Sequence, residues 1–446
     1  MAVSYASPGV YVEEVDRGTK PIQAVGTSVA AFVGITAEAS RKALDPESGE
    51  RIPIASCLNV PTLVTNWTQF SDIFGGFTTG AFLPDAVYGY FANGGGPCYV
   101  VSLRALEEME SEKAKSSRSR SAAKKKEEGG EGEAASAPAA PAAGPLTAVD
   151  FIGDVAERTG INGLEALDDV SLILCPDLMA GYDGSNAAKE MVKQVQTAMI
   201  AHCENQKYRF AILDTPPGLN AQQVKEWRNQ VNFDSAYAAM YYPWIEVADL
   251  SDSPQTSKMV PPSGHIVGIY NRTDSERGVH KAPANEVVLG ATNLEINLTK
   301  GEQDGLNPIG VNCIRSFPGR GIRVWGARTL SSDGSWRYIN VRRLFIMVGA
   351  SLEASMGWVV FEPNDSTLWA KVTRDVTSFL RLVWRSGALF GATPEQAFYV
   401  KCDEELNPAE VRDLGQLIIE IGMAPVKPAE FVIFRLSQWA GANAEA

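Results

Sequence analysis

The chain has 446 residues, of which 45% are hydrophobic and 21% are charged, so we expect a soluble globular protein with two or three domains. Its 53 acidic residues outnumber its 40 basic ones, which gives a formal net charge of -13. That charge argues against nucleic acid or an anionic membrane as the main partner, so any function that needs positive charge must be local.

The cysteines give no sign of a disulfide framework or a metal site. Six are present without a CxxC pair, and three histidines are too few and too widely spaced to complete a zinc site with them. The N-terminus lacks a secretory signal, and no apolar run approaches the length of a membrane span. We therefore expect free thiols in a reducing cytoplasm, no metal or other cofactor, and no insertion into a membrane.

Residues 1–20 are predicted to form an arm. Pro8 and Gly9 signal a turn, and the run from Val10 to Val15 favours a short strand. A single short strand buries little by itself, so it needs a sheet edge supplied from elsewhere.

Two stretches, 21–104 and 147–300, alternate strand and helix patterns, which predicts a sheet flanked by helices. The region 249–305 is rich in Pro, Gly, Asn and Thr and is predicted to be a hinge. The predicted strands are 29–35, 98–103, 170–175, 208–213 and 236–242, and the predicted helices are 66–73, 85–91, 186–203 and 221–229.

Two features of these stretches suggest nucleotide chemistry. The triple glycine at 94–96 is not followed by a GxxxxGK[ST] pattern or by a helix, so we interpret it as a tight helix-to-strand turn. Asp214, at the end of an apolar strand, resembles the strand-end aspartate of ParA/MinD-type ATPases. That class needs a Lys-containing phosphate loop, and the chain has no GK[ST] anywhere. We favour a buried strand that ends in a turn, with the ATPase kept as the alternative.

Residues 105–146 differ in kind from their flanks. Mixed acidic and basic residues are followed by a run of Ala, Pro, Ser and Gly, and no aromatic residue occurs. Such a composition cannot bury enough apolar surface to offset its ordering entropy, so a low-complexity, disordered insertion is predicted.

Two long helices are predicted after residue 300, from Asn340 to about 358 and from Asp365 to a stop at Gly387. Strands follow at 397–402, 416–423 and 430–436. At about 100° per residue, the second helix has one buried apolar stripe and an opposite face that is almost purely basic. The stripe comprises Leu368, Val372, Val376, Phe379, Leu380 and Val383, and the basic face comprises Lys371, Arg374, Arg381 and Arg385. A charged face is usually only solvated, but solvated faces mix both signs, so contact with a partner is favoured here.

Four separated motifs carry a resemblance to a known family. They are SPGVYVEE at 7–14, FEPNDSTLW at 361–369, WRSGAL at 384–389 and APVKPAEF at 424–431. Together they resemble the tail sheath family, which comprises phage tail sheaths and the sheaths of related contractile injection systems. The match covers the N-terminal arm and the C-terminal third of the chain.

The resemblance implies an α+β / α/β multidomain fold. A C-terminal core domain, 301–446, is completed by the N-terminal arm, and an α/β domain formed by 21–104 and 147–300 is inserted between them and faces outward. Subunits polymerise as six-fold stacked rings around an inner tube and contract to drive the tube through a target envelope, without hydrolysing nucleotide.

The resemblance also implies the partners and the residues that contact them. The partners are other copies of the chain, the inner tube protein, and baseplate and terminal cap proteins. Lys371, Arg374, Arg381 and Arg385 would face the tube. The arms would add strands to neighbouring subunits through Val10, Tyr11, Val12, Glu13, Phe431, Val432, Ile433 and Phe434. Assembly is expected in the cytoplasm, with release as part of an extracellular particle.

Overall fold

A computed structural model describes residues 22–44, 51–106, 146–251 and 256–435. Among these residues the chain divides into two compact units. The sheet unit comprises Gly26–Met347 and residues 425–435, and the helix unit comprises residues 22–25 and Val348–Ala424.

Fifteen strands occur in the described residues. They are β1 Ala30–Thr36, β2 Ser40–Leu44, β3 Arg51–Ser56, β4 Thr62–Val64, β5 Cys98–Ala105, β6 Leu172–Leu174, β7 Phe210–Asp214, β8 Ala238–Tyr242, β9 Ile245–Ala248, β10 Ser257–Val260, β11 Ala291–Leu294, β12 Val311–Phe317, β13 Gly321–Val324, β14 Phe398–Lys401 and β15 Glu420–Met423.

Eleven α-helices occur in the same part of the chain. They are α1 Trp67–Phe74, α2 Leu83–Ala92, α3 Ala148–Ile152, α4 Asn186–Gln206, α5 Ala221–Val231, α6 Ser263–Arg277, α7 Lys300–Leu306, α8 Ile339–Ser355, α9 Ser366–Arg385, α10 Pro394–Ala397 and α11 Ala409–Asp413.

An eight-stranded sheet forms the centre of the sheet unit, with the strand order β13-β12-β8-β7-β6-β1-β5-β4. The six inner strands are parallel, and the two edge strands β13 and β4 are antiparallel to their neighbours. Alternate residues enter different cores: Phe32 packs into one, while Ala31 and Val33 pack into the other. Burial on both faces explains why β1, β7 and β8 are apolar runs without polar alternation.

The helix unit is built on the amphipathic helix α9. The Asp365 side chain accepts a hydrogen bond from Leu368 N at 2.8 Å at its start, and Gly387 adopts a left-handed φ of 84° after its end. All six residues of the predicted apolar stripe are buried. Next to α9, β14 and β15 form a two-stranded antiparallel sheet in which Phe398 lies opposite Met423.

The predicted hinge at 249–305 is wrong, because it contains the buried helix α6. Gly264 and Gly268 let α6 pack closely on α2: a Cβ added there would lie 2.4 Å from Ala86 Cα and 2.5 Å from Tyr90 O. A helix buried on nearly all sides has no amphipathic stripe, so periodicity gives no signal for it.

Two expectations for the C-terminal region differ from the structure. The chain divides between Met347 and Val348, within α8, and not at residue 301, because β12 and β13 belong to the eight-stranded sheet. No regular strand forms over residues 430–435, the described part of the predicted strand 430–436. A strand needs a hydrogen-bonded neighbour, and this part of the chain provides none within the described residues.

Candidate partner-binding surfaces

The basic face of α9 is exposed to solvent as predicted. Lys371, Arg374, Arg381 and Arg385 all lie on the open side of the helix, opposite the buried stripe. Arg374 Nε lies 3.0 Å from Asp375 Oδ1, whereas the other three cations form no ion pair within 4 Å in the part of the chain that the structure describes. The face therefore keeps most of its positive charge available to a partner.

An apolar side chain on the same face escapes the sequence prediction. Leu382 is 60% exposed and lies between Arg381 and Arg385 along the helix. The predicted stripe and the predicted basic face both leave Leu382 out, although its angle around the helix places it with the exposed cations.

The sheet formed by β14 and β15 has no third strand among the described residues. Tyr399 on β14 is 53% exposed and donates to Glu420 Oε1 at 2.5 Å across the pair. A two-stranded sheet of four-residue strands is only marginally stable in isolation. Its unpaired backbone groups can accept strands from other chains.

Glu430 anchors the segment 425–435 to the rest of the sheet unit. Its carboxylate accepts from Arg328 Nη2 at 2.6 Å, from Asn307 Nδ2 at 2.6 Å and from Tyr338 OH at 3.2 Å. Partial burial acts to raise the pKa of Glu430, but the hydrogen bonds from Arg328 and Asn307 outweigh it and hold that pKa below its usual value. The next four side chains, all apolar, are at least 70% exposed: Phe431, Val432, Ile433 and Phe434.

Several predicted features cannot be compared with the structure. Val10, Tyr11, Val12 and Glu13 of the N-terminal arm lie outside the described residues. So does 107–145, nearly all of the predicted insertion.

Asp214, the residue that suggested an ATPase, is buried at the C-terminal end of β7. Its Oδ1 accepts from Ser263 N at 3.0 Å in the first turn of α6, and its backbone oxygen accepts from Gln196 Nε2 at 2.8 Å. Burial raises the pKa of Asp214 to about 7. The carboxyl group thus caps a helix and has no exposed oxygen to offer a magnesium ion.

Asp177 has the same function at the neighbouring strand end. It accepts from the backbone N–H groups of Ile35 (2.6 Å), Leu83 (3.2 Å) and Phe82, the last two at the start of α2. Burial raises its pKa to about 7. Two buried carboxyls at the end of a parallel sheet thus resemble a catalytic pair but hold helix starts in place.

No other group of side chains in the described residues suggests an active site. Across 22–44, 51–106, 146–251 and 256–435, His, Cys, Asp and Glu form no cluster of three or more that would hold a metal ion. The six cysteines are free, and five of them are buried. The triple glycine joins α2 to β5, with Gly96 N donating to Tyr90 OH at 3.1 Å, as expected for a structural turn. No helix among the described residues is long and apolar enough to cross a membrane.

Comparison with known families gives two adjoining matches. The phage tail sheath protein central domain matches residues 161–330, and the phage tail sheath C-terminal domain matches residues 331–438. Together they cover more than half of the 446 residues.

Similar individual proteins include a prophage major tail sheath protein of Pseudomonas aeruginosa, 28% identical over 67% of this chain and 75% of that protein. The tail sheath protein of Vibrio phage KVP40 is 24% identical over 60% of this chain, but the match spans only 43% of that protein.

Two solved structures match nearly end to end. The contracted sheath of an extracellular contractile injection system, PVC, has a TM-score of 0.68 and 27% identity, covering 98% of this chain and 99% of that one. The contracted helical sheath of the anti-feeding prophage has a TM-score of 0.67 and 28% identity, covering 98% and 100%.

Proposed function

Because the chain belongs to the phage tail sheath family, we propose that it is the structural subunit of a contractile sheath, which polymerises in helical stacked rings around an inner tube and contracts to drive the tube through a target envelope. The near-complete match to two contracted sheaths is the observation that carries this proposal. The competing ATPase hypothesis has no support, because Asp214 caps α6 and the chain contains no phosphate-binding lysine loop.

Within the sheath, the helix unit together with the N-terminal arm forms the core domain next to the tube. The sheet unit faces outward. Assembly takes place in the cytoplasm, and the finished particle is released. Baseplate and terminal cap proteins bind the two ends of the polymer. A chain in the solved baseplate structure of the anti-feeding prophage is also similar to this chain, with 27% identity and a TM-score of 0.65, which supports a baseplate as a partner.

Neighbouring subunits are linked by strand exchange. The sheet of β14 and β15 accepts strands, and the arms donate them: Val10, Tyr11, Val12 and Glu13 at one end, and Phe431, Val432, Ile433 and Phe434 at the other. The exposure of all four C-terminal apolar side chains supports this assignment, since contiguous exposed apolar groups mark interaction sites. Strand exchange lets rings rotate while the backbone links stay intact.

The basic face of α9 contacts the tube. Each exposed ion pair contributes only about 0.2–1 kcal/mol, so a single contact is weak. Repetition in every subunit makes the sum large, while the weakness of each pair allows release on contraction.

The test reverses two of these charges, in Arg374→Glu with Arg381→Glu. We expect extended sheath to stop growing on the tube, because the face would repel an acidic tube surface, while the fold survives with its apolar stripe intact. Negative-stain imaging of sheath with and without tube measures the effect. As a matched control, Lys189→Glu with Lys225→Glu reverses two charges on α4 and α5 and should leave sheath growth unchanged. A variant of α9 that covers the tube as well as the parent would show that the face is merely solvated.

A further inference from the structure

The hairpin formed by β12 and β13, at one edge of the large sheet, concentrates arginine and aromatic side chains that the proposed function does not use. Phe317 and Trp325 pack together with ring centroids 4.6 Å apart and ring planes tilted by 56°. The Arg315 guanidinium lies 5.4 Å from the Phe317 centroid, and that of Arg320 lies 5.5 Å from Phe317 and 5.8 Å from Trp325. Arg323 projects from the same hairpin. We call Arg315, Arg320 and Arg323 with these two rings the basic hairpin.

Hydrogen bonds fix these arginines without neutralising them. Arg320 Nη2 donates to Asn285 Oδ1 at 3.1 Å, and Arg323 Nη1 donates to Asn285 O at 2.7 Å. Arg315 Nη1 donates to Gln303 Oε1 at 2.9 Å, and its buried Nε has no partner in the described structure. No carboxylate of the described residues lies within 4 Å of any of the three. Rigid, unpaired guanidinium groups are suited to binding carboxylates, because their planar donors are already oriented.

The complementary charge lies at the other end of the same sheet. Asp168 and Asp169 directly precede the segment that enters β6, with Glu165 nearby, and all three are exposed. Tyr99 OH donates to Asp169 Oδ2 at 3.1 Å. The cation below this loop, Arg209, is buried and directs its donors to Leu167 O and His202, without an ion pair to these acids within 4 Å. We call Glu165, Asp168 and Asp169 the acidic end.

Strand direction places the two surfaces apart. The strands from β6 to β12 are parallel, so residues before β6 and residues after β12 lie at opposite ends of the sheet. One copy therefore cannot join its own basic hairpin to its own acidic end, but successive copies can do so in a head-to-tail contact, which leads to a ring or a helical filament.

We propose that the basic hairpin of one subunit binds the acidic end of a second copy of this chain. The inference rests on the proposed self-assembly and adds a polar contact between sheet units to the strand exchange between arms. The exposed carboxylates of the acidic end are the groups that the hairpin lacks within reach in its own subunit, and this local charge complementarity identifies a second copy as the occupant. Because Arg320 and all three residues of the acidic end are exposed, the contact weakens as salt is raised.

Charge reversal and charge exchange test the proposal with the full-length chain. Arg320→Glu with Arg323→Glu should raise the concentration needed for polymerisation about tenfold, measured by sedimentation and electron microscopy at low salt. Asp168→Arg with Asp169→Arg, which leaves the hairpin untouched, should produce a similar defect. Combining all four changes in one chain should restore polymerisation to near the parental level, an outcome that a misfolded hairpin cannot give. The Lys189→Glu, Lys225→Glu control should match the parent.

The outcomes separate this contact from the proposed function. If the parent polymerises and both reversed variants do so equally well, the contact is overturned and the sheath function stands. If the parent forms no polymer with or without tube, the proposed function itself fails, and the inference with it. If the hairpin variant polymerises normally but loses binding to a single-stranded oligonucleotide that the parent binds, the hairpin is a nucleic-acid surface and the proposal is overturned.

Discussion

Asp214 shows how a buried carboxyl group can resemble a catalytic one. The group lies at the C-terminal end of a central parallel strand, where many α/β enzymes place catalytic residues. Its oxygen accepts from Ser263 N, so its function here is to start a helix. A shifted pKa is found both for buried carboxyl groups that stabilise the fold and for those that catalyse a reaction. The hydrogen-bond partners of the group distinguish the two roles.

Replacing Asp214 with asparagine should change how stability depends on pH. The carboxyl ionises near pH 3.8 when unfolded and, because of burial, at a pKa of about 7 when folded. Between these values the folded state holds the additional proton, so the free energy of unfolding of the parent falls as pH rises from about 4 to about 7. The asparagine side chain cannot ionise, so the stability of the variant relative to the parent should improve between pH 4 and pH 8, as measured by denaturant unfolding at both. An unchanged difference between the two proteins would contradict the assigned protonation.

At the scale of elements, α9 is the part of the fold that the sequence predicts best. Its cap, its buried stripe and its exposed cations all follow from periodicity and capping residues. α6 is the part it predicts worst. α6 lacks amphipathic spacing because it is covered on both sides. Gly264 resembles a helix-breaking residue in the sequence, whereas in the structure it allows α6 to pack closely on α2. The segment 430–435 has strand propensity, but propensity alone does not supply a hydrogen-bonded neighbour.

Leu382 provides a test of α9 that is independent of charge. An exposed apolar side chain between two arginines is a candidate anchor for a contact, because apolar groups at the centre of an interface contribute most to binding. Leu382→Ser should weaken the sheath's attachment to the tube, seen as fewer and shorter extended sheaths, while thermal unfolding changes little. Ser378→Ala, on the same exposed face, serves as the control. If the Leu382→Ser variant attaches to the tube as well as the parent does, Leu382 is not part of the contact, and only the charged residues of α9 remain candidates.

Deleting residues 1–15 tests the N-terminal arm. We expect a folded subunit that no longer forms sheath, because the donated strand is lost while all the buried residues that the structure describes, from Ile22 onward, are retained. Circular dichroism reports the fold, and electron microscopy reports assembly. Replacing the same residues with a Gly-Ser sequence of equal length separates the loss of a strand from the loss of length. Contractile sheath of normal appearance from the truncated chain would contradict strand exchange.

At the scale of the whole molecule, the division of the chain is not visible in its sequence. β12 lies next to β8 in the sheet, although about seventy residues separate them along the chain, and α8 continues from one unit into the other. A domain boundary placed at residue 301, where the composition changes, therefore precedes the division between Met347 and Val348. Sheet neighbours are decided by long-range packing, which single-sequence patterns do not report.

Excising residues 107–145 and joining the ends with a short Gly-Ser linker should leave both folding and polymerisation unchanged. The reason is compositional, since this segment contains no aromatic residue to contribute to a core. The flanks are held independently, β5 in the large sheet and α3 by its capping box. Thermal unfolding and sedimentation of the polymer measure the outcome. A variant that folds but does not polymerise would show that the segment forms an ordered contact.

The two-stranded sheet of β14 and β15 has a consequence for how such a polymer grows and stops. If the strands that complete it come from other chains, each added subunit donates strands to the sheets of subunits already in the polymer. It then exposes its own incomplete sheet to the next subunit. Incomplete sheets then exist only at the growing end, so that end is both the sole template for addition and the sole adhesive surface of the particle. A protein that terminates growth must therefore offer strands without exposing a new acceptor, and a particle that lacks it would keep lengthening or join another end to end.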